Sequence, residues 1–156
     1  IDIGIQGNDL LVILLVVQLI AFPSAIIYGK LAQKYSAKIM LLVGIGVYTS
    51  ITIYASFLTN EVQYWILAVM VGTSQGGIQA ISRSFYSRII PQNNSAEFFG
   101  FYNIIGKFAA IMGPFLVGIT AQMTRSSRLG VLSLLLLFLI GGILLLRVEN
   151  IHAKPA

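Results

Sequence analysis

Four polar side chains stand out in a chain that is otherwise apolar. Gln75 and Gln79 lie four apart, and so do Asn103 and Lys107. On a helix that spacing puts each pair on one face. Lys107 falls about midway along an apolar run long enough to cross a bilayer. An ionisable side chain at that depth is costly to keep, and it marks a functional site by default. The chemistry it offers is electrostatic. An ammonium there can bind a carboxylate or phosphate on a solute, or change partners as two conformations exchange. In a purely structural role it snorkels, or pairs with a helix C-terminus or a carboxylate elsewhere. No acid within the apolar runs is an evident partner. Each amide brings two donor hydrogens and an acceptor oxygen, which suits a zwitterion or a hydroxylated solute. The amides serve equally well in bonds between helices. Tyr102 and Phe99, close by in the chain, read first as packing residues.

A second set of charges, Arg83, Arg88 and Glu97, flanks the turn between the two apolar runs. One reading is topology plus a helix cap. The sharper one is an inner gate, formed in one state of a cavity and broken in the other. Exposed ion pairs contribute only about 0–1 kcal/mol. That is still enough to bias two states that lie close in energy.

Other chemistries find no support. The chain has no Cys, so thiolate metal sites and disulfides are excluded. The lone His152 sits in the tail, and no metal or cofactor is expected. There is no phosphate-binding Gly-rich lysine motif, and no intramembrane His or Asp for triad catalysis. The chain is not read as an enzyme.

These residues must be carried by helices in a membrane. The chain has 156 residues, 57% hydrophobic and only 10% charged. Its mean hydropathy is +0.88. A soluble domain carries about 25% charged residues. The fold class expected is all-α, a polytopic membrane protein with five transmembrane helices. The spans are read at about 10–28, 39–58, 64–90, 96–122 and 129–146. Nineteen residues cover roughly 30 Å of hydrocarbon. Residues 1–8 are a short polar lead-in. The abrupt start without Met suggests a piece of a longer protein.

Asp9 is expected to cap the first span, and Pro23 to kink it. Gln18 is its polar residue at mid-depth, an interhelical bond donor or a path-lining group. Residues 29–38 form a tight basic loop. Gly44, Gly46 and Ser50 in the second span permit close helix approach, as do Gly72 and Gly76 in the third. Tyr64 and Trp65 are interfacial anchors. Asn94 and Glu97 have capping-box spacing at the start of the fourth span. Gly113-Pro114 should bend that span. The fifth span is apolar all round, with Gly141-Gly142 inside it, and belongs on the bundle's outside.

Five spans put the chain ends on opposite sides. Lys30, Lys34, Lys38, Arg83, Arg88, Arg147 and Lys154 gather on one side, against Arg125 and Arg128 on the other. The net charge of +5 is therefore a matter of orientation, not of nucleic-acid binding. The positive-inside rule puts the basic loop and the C-terminal tail in the cytoplasm.

The basic loop, GKLAQKYSAK, resembles the loop signature of the major facilitator superfamily. Gly29, Leu31, Ala32, Lys34 and Lys38 fit it, and Gln33 stands where the signature has an acid. The stretches SQGGIQAISRSFYSRIIP, SAEFFGFYNIIGKFAAIMGP and SSRLGVLSLLLLFLIGGILLLRV are similar to the C-terminal part of the vacuole-effluxer, autophagy-related protein 22-like, branch. The resemblance covers nearly the whole chain. It implies helices eight to twelve of a twelve-helix transporter, whose remaining helices would be the missing partner half. Fungal members of the branch are linked to amino-acid efflux from the vacuole. The expected function is secondary transport of a small polar solute, an amino acid by resemblance, by alternating access. A sugar or other organic anion, or a non-transporting scaffold or receptor, are the alternatives. Membrane lipid and solute are the expected partners. The membrane is a bacterial plasma membrane or a vacuolar one.

Overall fold

A computed structural model describes residues 7–148. Among them every regular element is helical. Helix α1 is Gly7–Tyr35, α2 Ala37–Ser56, α3 Glu61–Ile89, α4 Ser95–Thr124, α5 Ser127–Leu132 and α6 Leu134–Arg147. A 3-10 turn, Gln92–Asn94, leads into α4. The chain is a polytopic membrane protein. Four segments are long and apolar enough to cross a membrane: Asp9–Tyr35, Ala37–Ser56, Gln92–Thr124 and Ser127–Arg147. Helix α3 has the length, at 29 residues, but not the apolarity. Gln75, Gln79, Arg83 and Arg88 lower it. It compensates by packing against both α1 and α2, which shield one face from lipid.

The α1–α3 contact is the tightest in the molecule. The helices run parallel, and small residues of α3 meet successive turns of α1. A Cβ on Gly72 would stand 3.0 Å from the Val17 carbonyl oxygen. One on Gly76 would collide with the Ala21 carbonyl, and one on Gly77 with the Tyr28 ring. Ser24 donates to the Thr73 carbonyl across the same seam. Close backbone approach of this kind is how apolar helices associate without a hydrophobic drive between them. Of the second span's three small residues, only Gly44 is crowded, with its Cβ position 2.5 Å from Ile78. Gly46 has open space, and Ser50 bonds back to the Gly46 carbonyl within its own helix.

Several local expectations are corrected. The basic loop is mostly helix: α1 runs on to Tyr35 and α2 begins at Ala37. Only Ser36 interrupts them, at φ 89°. Apolarity ends near Tyr28, but Lys, Leu, Ala and Gln are good helix formers and carry the helix beyond the hydrocarbon. Asp9 is not a cap, because α1 begins at Gly7; it lies in the first turn, where its charge favours the helix dipole. Asn94 makes no capping bond to the backbone. The 3-10 turn holds it at ψ 23°, outside the extended conformation a cap needs. Its amide donates instead to Glu97 Oε2, 3.4 Å away. Side-chain caps form instead at Ser126, before α5, and at Asn60, before α3. Asn60 Oδ1 accepts from the Gln63 N–H at 2.9 Å, and Gln63 Oε1 accepts from the Thr59 N–H at 2.8 Å.

Pro23 and Pro114 are both passed by continuous helix. The fifth span instead divides at Ser133, whose hydroxyl donates to the Gly130 carbonyl at 2.6 Å. Gln18 is exposed and makes no interhelical bond. The lead-in at residues 1–6, His152 and Lys154 lie outside the described residues.

At the basic end, Met40, Leu41, Ile81 and Phe85 form a buried cluster, with Leu31 and Ala32 packed on it. Lys38 Nζ donates to the carbonyls of Leu146 and Val148, at 3.0 and 2.5 Å. Lys34 stands 5.2 Å over the Tyr35 ring. The loop signature is thus partly structural here. Leu31 and Ala32 fill the core, Lys38 caps the C-terminus of α6, and Gly29 has nothing within 4 Å of its Cβ position.

Candidate functional site: a polar groove between α3 and α4

Helices α3 and α4 do not pack along their length. They touch near the turn that joins them. The Ser82 and Tyr102 hydroxyls are 3.0 Å apart. Tyr86 donates to the Phe98 carbonyl at 3.0 Å. The Tyr86 ring meets Phe99 and Tyr102, with centroids 5.7 and 4.8 Å away. Above this aromatic closure the helices part, leaving a groove of about 660 Å³.

Its α3 wall carries Gln79, Arg83 and Tyr86, spaced i, i+4, i+7. Its α4 wall carries Asn103, Lys107 and Ala110 at the same spacing, with Tyr102 and Gly106 beside them. Each set is one helical stripe. The antiparallel register follows from the Ser82–Tyr102 contact. It puts Arg83 level with Phe101, and Gln79 level with Ile105, between Asn103 and Lys107. Lys107 stands about 18 Å along the axis from the start of α4. Asn103 and Lys107 are exposed in this chain, and so are Gln79 and Arg83.

Three of the four residues singled out as cavity-lining therefore share one groove. Gln75 does not line it; half-buried, it lies one turn further along α3. Tyr102, read as packing, does both: it lines the groove and ties α4 to Ser82. Tyr86 was not singled out, although it completes the i, i+7 stripe begun by Gln79.

Arg83, Arg88 and Glu97 are not brought together. Arg83 lines the groove. Arg88 lines a separate hollow of about 240 Å³ beside Gly29, Ala32, Gln33 and Ser84. Glu97 keeps to Asn94 at the start of α4. Five residues separate the two arginines, which turns them about 140° apart around a helix of 3.6 residues per turn. They cannot share a face. In this arrangement α3 and α4 are closed by aromatic rings rather than by charges. Among the described residues no cluster of metal-binding side chains occurs.

A bundle of long apolar helices defines a helical integral membrane protein. Its family follows from comparison. The chain belongs to the vacuole effluxer Atg22-like family, whose model matches residues 2–156. It is 52% identical over 144 residues to the uncharacterized MFS-type transporter YxiO of Bacillus subtilis, covering 92% of this chain and 34% of that protein. It is 36% identical over 101 residues to autophagy-related protein 22 of Candida glabrata, covering 63% of this chain and 19% of that protein. The Saccharomyces cerevisiae protein of the same name is 38% identical over 71 residues, 46% of this chain and 13% of that protein. The chain spans about a third or less of the length of these relatives. No solved structure matches it.

Proposed function

We propose that this chain is part of a secondary transporter of the major facilitator type, and that the α3–α4 groove is its share of the solute path. The observation that supports this best is the groove itself. Gln79, Arg83, Asn103 and Lys107 line one groove between two helices, in a molecule whose exposed surface is rich in Leu, Ile, Val and Phe. A polar stripe in that position is costly unless a polar solute or water meets it. Family membership agrees with this reading: the family's description is "vacuole effluxer", and the Bacillus subtilis relative is named a transporter. In such proteins the site lies near the bilayer midplane, between two helical bundles that rock about it. The second bundle here would be the N-terminal helical half of the parent protein. The resemblance of the sequence to effluxers makes an amino acid the first solute class to test. The basic end, with Lys30, Lys34, Lys38, Arg83, Arg88 and Arg147, would face the cytoplasm by the positive-inside rule.

The test uses the full-length parent in liposomes. Counterflow of a panel of labelled amino acids is measured for wild type and Lys107→Met. The expected outcome is uptake of one amino-acid class that the variant loses while keeping its expression level. Uptake retained in Lys107→Met would reduce Lys107 to a structural charge. Absence of any solute flux, with the variant folding normally, would favour a non-transporting scaffold or receptor.

A further inference from the structure

The charges that line the groove all have one sign. Arg83 and Lys107 are its charged lining residues, on facing walls. The described acids lie elsewhere: Asp9 and Glu61 sit at the opposite end of the bundle, and Glu97 bonds Asn94 at the start of α4. Two cations facing one space repel each other, and the repulsion grows as water is excluded. Such a pair is stable in a closed cavity only when anions lie between them. The walls add donors to match, the amides of Gln79 and Asn103.

The geometry also sets a spacing. With Ser82 against Tyr102 and Tyr86 against Phe98, Arg83 lies level with Phe101, and Lys107 lies six residues deeper along α4. That offset is about 9 Å along the axis, and both side chains lean toward their own helix N-terminus and so toward each other. A short dicarboxylate spans it. Arg offers a planar fork that takes a carboxylate through two parallel bonds, while Lys offers a point charge to the second. Gly106, between the two rows of α4 side chains, leaves room at the wall, with nothing within 4 Å of its Cβ position. The volume of about 660 Å³ lies within the range of small-molecule sites, roughly 300–1,000 Å³.

We propose that the groove binds a small solute carrying two carboxylates, dicarboxylates and acidic amino acids alike, one group on Arg83 and the other on Lys107. This rests on the transport reading above, and narrows its solute class from polar to dianionic. It also takes Arg83 out of a gate and puts it in the binding site.

The experiment uses the full-length parent in liposomes, with labelled succinate and glutamate as probes and labelled leucine as the comparator. Wild type is run beside Arg83→Gln, Lys107→Gln and Arg83→Lys, each checked for monodispersity. The expected result is succinate and glutamate counterflow exceeding that of leucine. Each Gln variant should lose it by at least about ten-fold, since a charged hydrogen-bond partner is removed. Arg83→Lys should retain a measurable part, because it keeps the charge and loses only the fork. Leucine flux that excess unlabelled succinate does not compete would overturn the dianion assignment and leave transport standing. Dianion flux unchanged in both Gln variants would overturn the assigned residues. No flux of any probe or of the wider amino-acid panel would remove the transport reading, and this inference with it. Should the Gln variants aggregate, thermal stabilisation of the detergent-solubilised wild type decides: succinate must stabilise it more than butyrate, and equal effects would overturn the proposal.

Discussion

Helices α1 to α3 and helices α4 to α6 treat their surfaces in opposite ways. In the first group buried residues recur along every helix, and α3 lays Gly72, Gly76 and Gly77 directly on α1. In the second, α4 has no buried residue over its 30 positions, and α6 has none either. Gly100, Gly106, Gly113 and Gly118 of α4 all have open space where a Cβ would stand. Glycine thus does different things in the two regions. On α3 it is a packing requirement. On α4 it leaves room along an apolar face offered to lipid or to protein outside this chain. The polar groove runs along the boundary, with one wall from a packed helix and one from an open helix. A wall that is not packed against its neighbour is free to move relative to it, which suits a solute path.

The comparison breaks most directly at the glycines. Gly76→Ala in the full-length parent should destabilise it by about 3 kcal/mol, because the new methyl meets a backbone carbonyl that cannot yield. Gly100→Ala should be neutral or stabilise by up to about 1 kcal/mol, since alanine is the better helix former. Unfolding midpoints of the purified variants check this. Equal losses would mean that α4 is packed as tightly as α3 by the rest of the protein, and that its open face belongs to this chain alone.

The Lys38 clasp joins the two groups, holding the end of α6 to the start of α2. Lys38→Met keeps the apolar stem and removes the ammonium from two carbonyls. A loss of about 1 kcal/mol is expected, the usual scale for a cation at a helix C-terminus. Exchange of the amides near Leu145 should quicken at the same time. Faster exchange there without a change around Phe85 would show that the two groups open independently.

Much of this was legible in the sequence because apolar length and i, i+4 spacing are robust signals. The all-α class and the shared face of Asn103 and Lys107 needed nothing more. Helix ends were less legible. Hydropathy stops at Tyr28, whereas the backbone continues as long as helix formers follow, so the helix outran the apolar run. Gln75 was grouped with Gln79 because four residues separate them, but a groove that closes at one end includes a stripe only where the opposite wall reaches it. The gate grouping of Arg83, Arg88 and Glu97 relied on closeness in the chain, and a helix turns such neighbours to different faces. The separation of α3 from α4 leaves no mark in either helix's own pattern. It is a property of how the two groups meet.

The smallest effects lie at the two corners, one in each group. Ser36 joins α1 to α2 at φ 89° and ψ 138°, near a region used almost only by glycine. Arg125 ends α4 at φ 52° and ψ 27°, inside the small left-handed region that other residues occupy now and then. Ser36 is retained there by its backbone: its N–H donates to the Ala32 carbonyl at 3.1 Å, and its own carbonyl accepts from Met40 at 3.2 Å. A glycine at either corner removes steric strain and adds freedom to the unfolded chain, so the two contributions oppose each other. At Ser36 the strain is of order 1 kcal/mol or more, and it exceeds the entropic cost of about 0.5 kcal/mol. Ser36→Gly should therefore stabilise by about 0.5 kcal/mol. At Arg125 the two contributions nearly cancel, and Arg125→Gly should leave the midpoint unchanged. Ranking the two variants by thermal melting of the full-length parent checks the difference. A gain at Arg125 larger than that at Ser36 would mean that the corner of the open group is the more strained. The contrast between a constrained α1–α3 group and a relaxed α4–α6 group would then not extend to their turns.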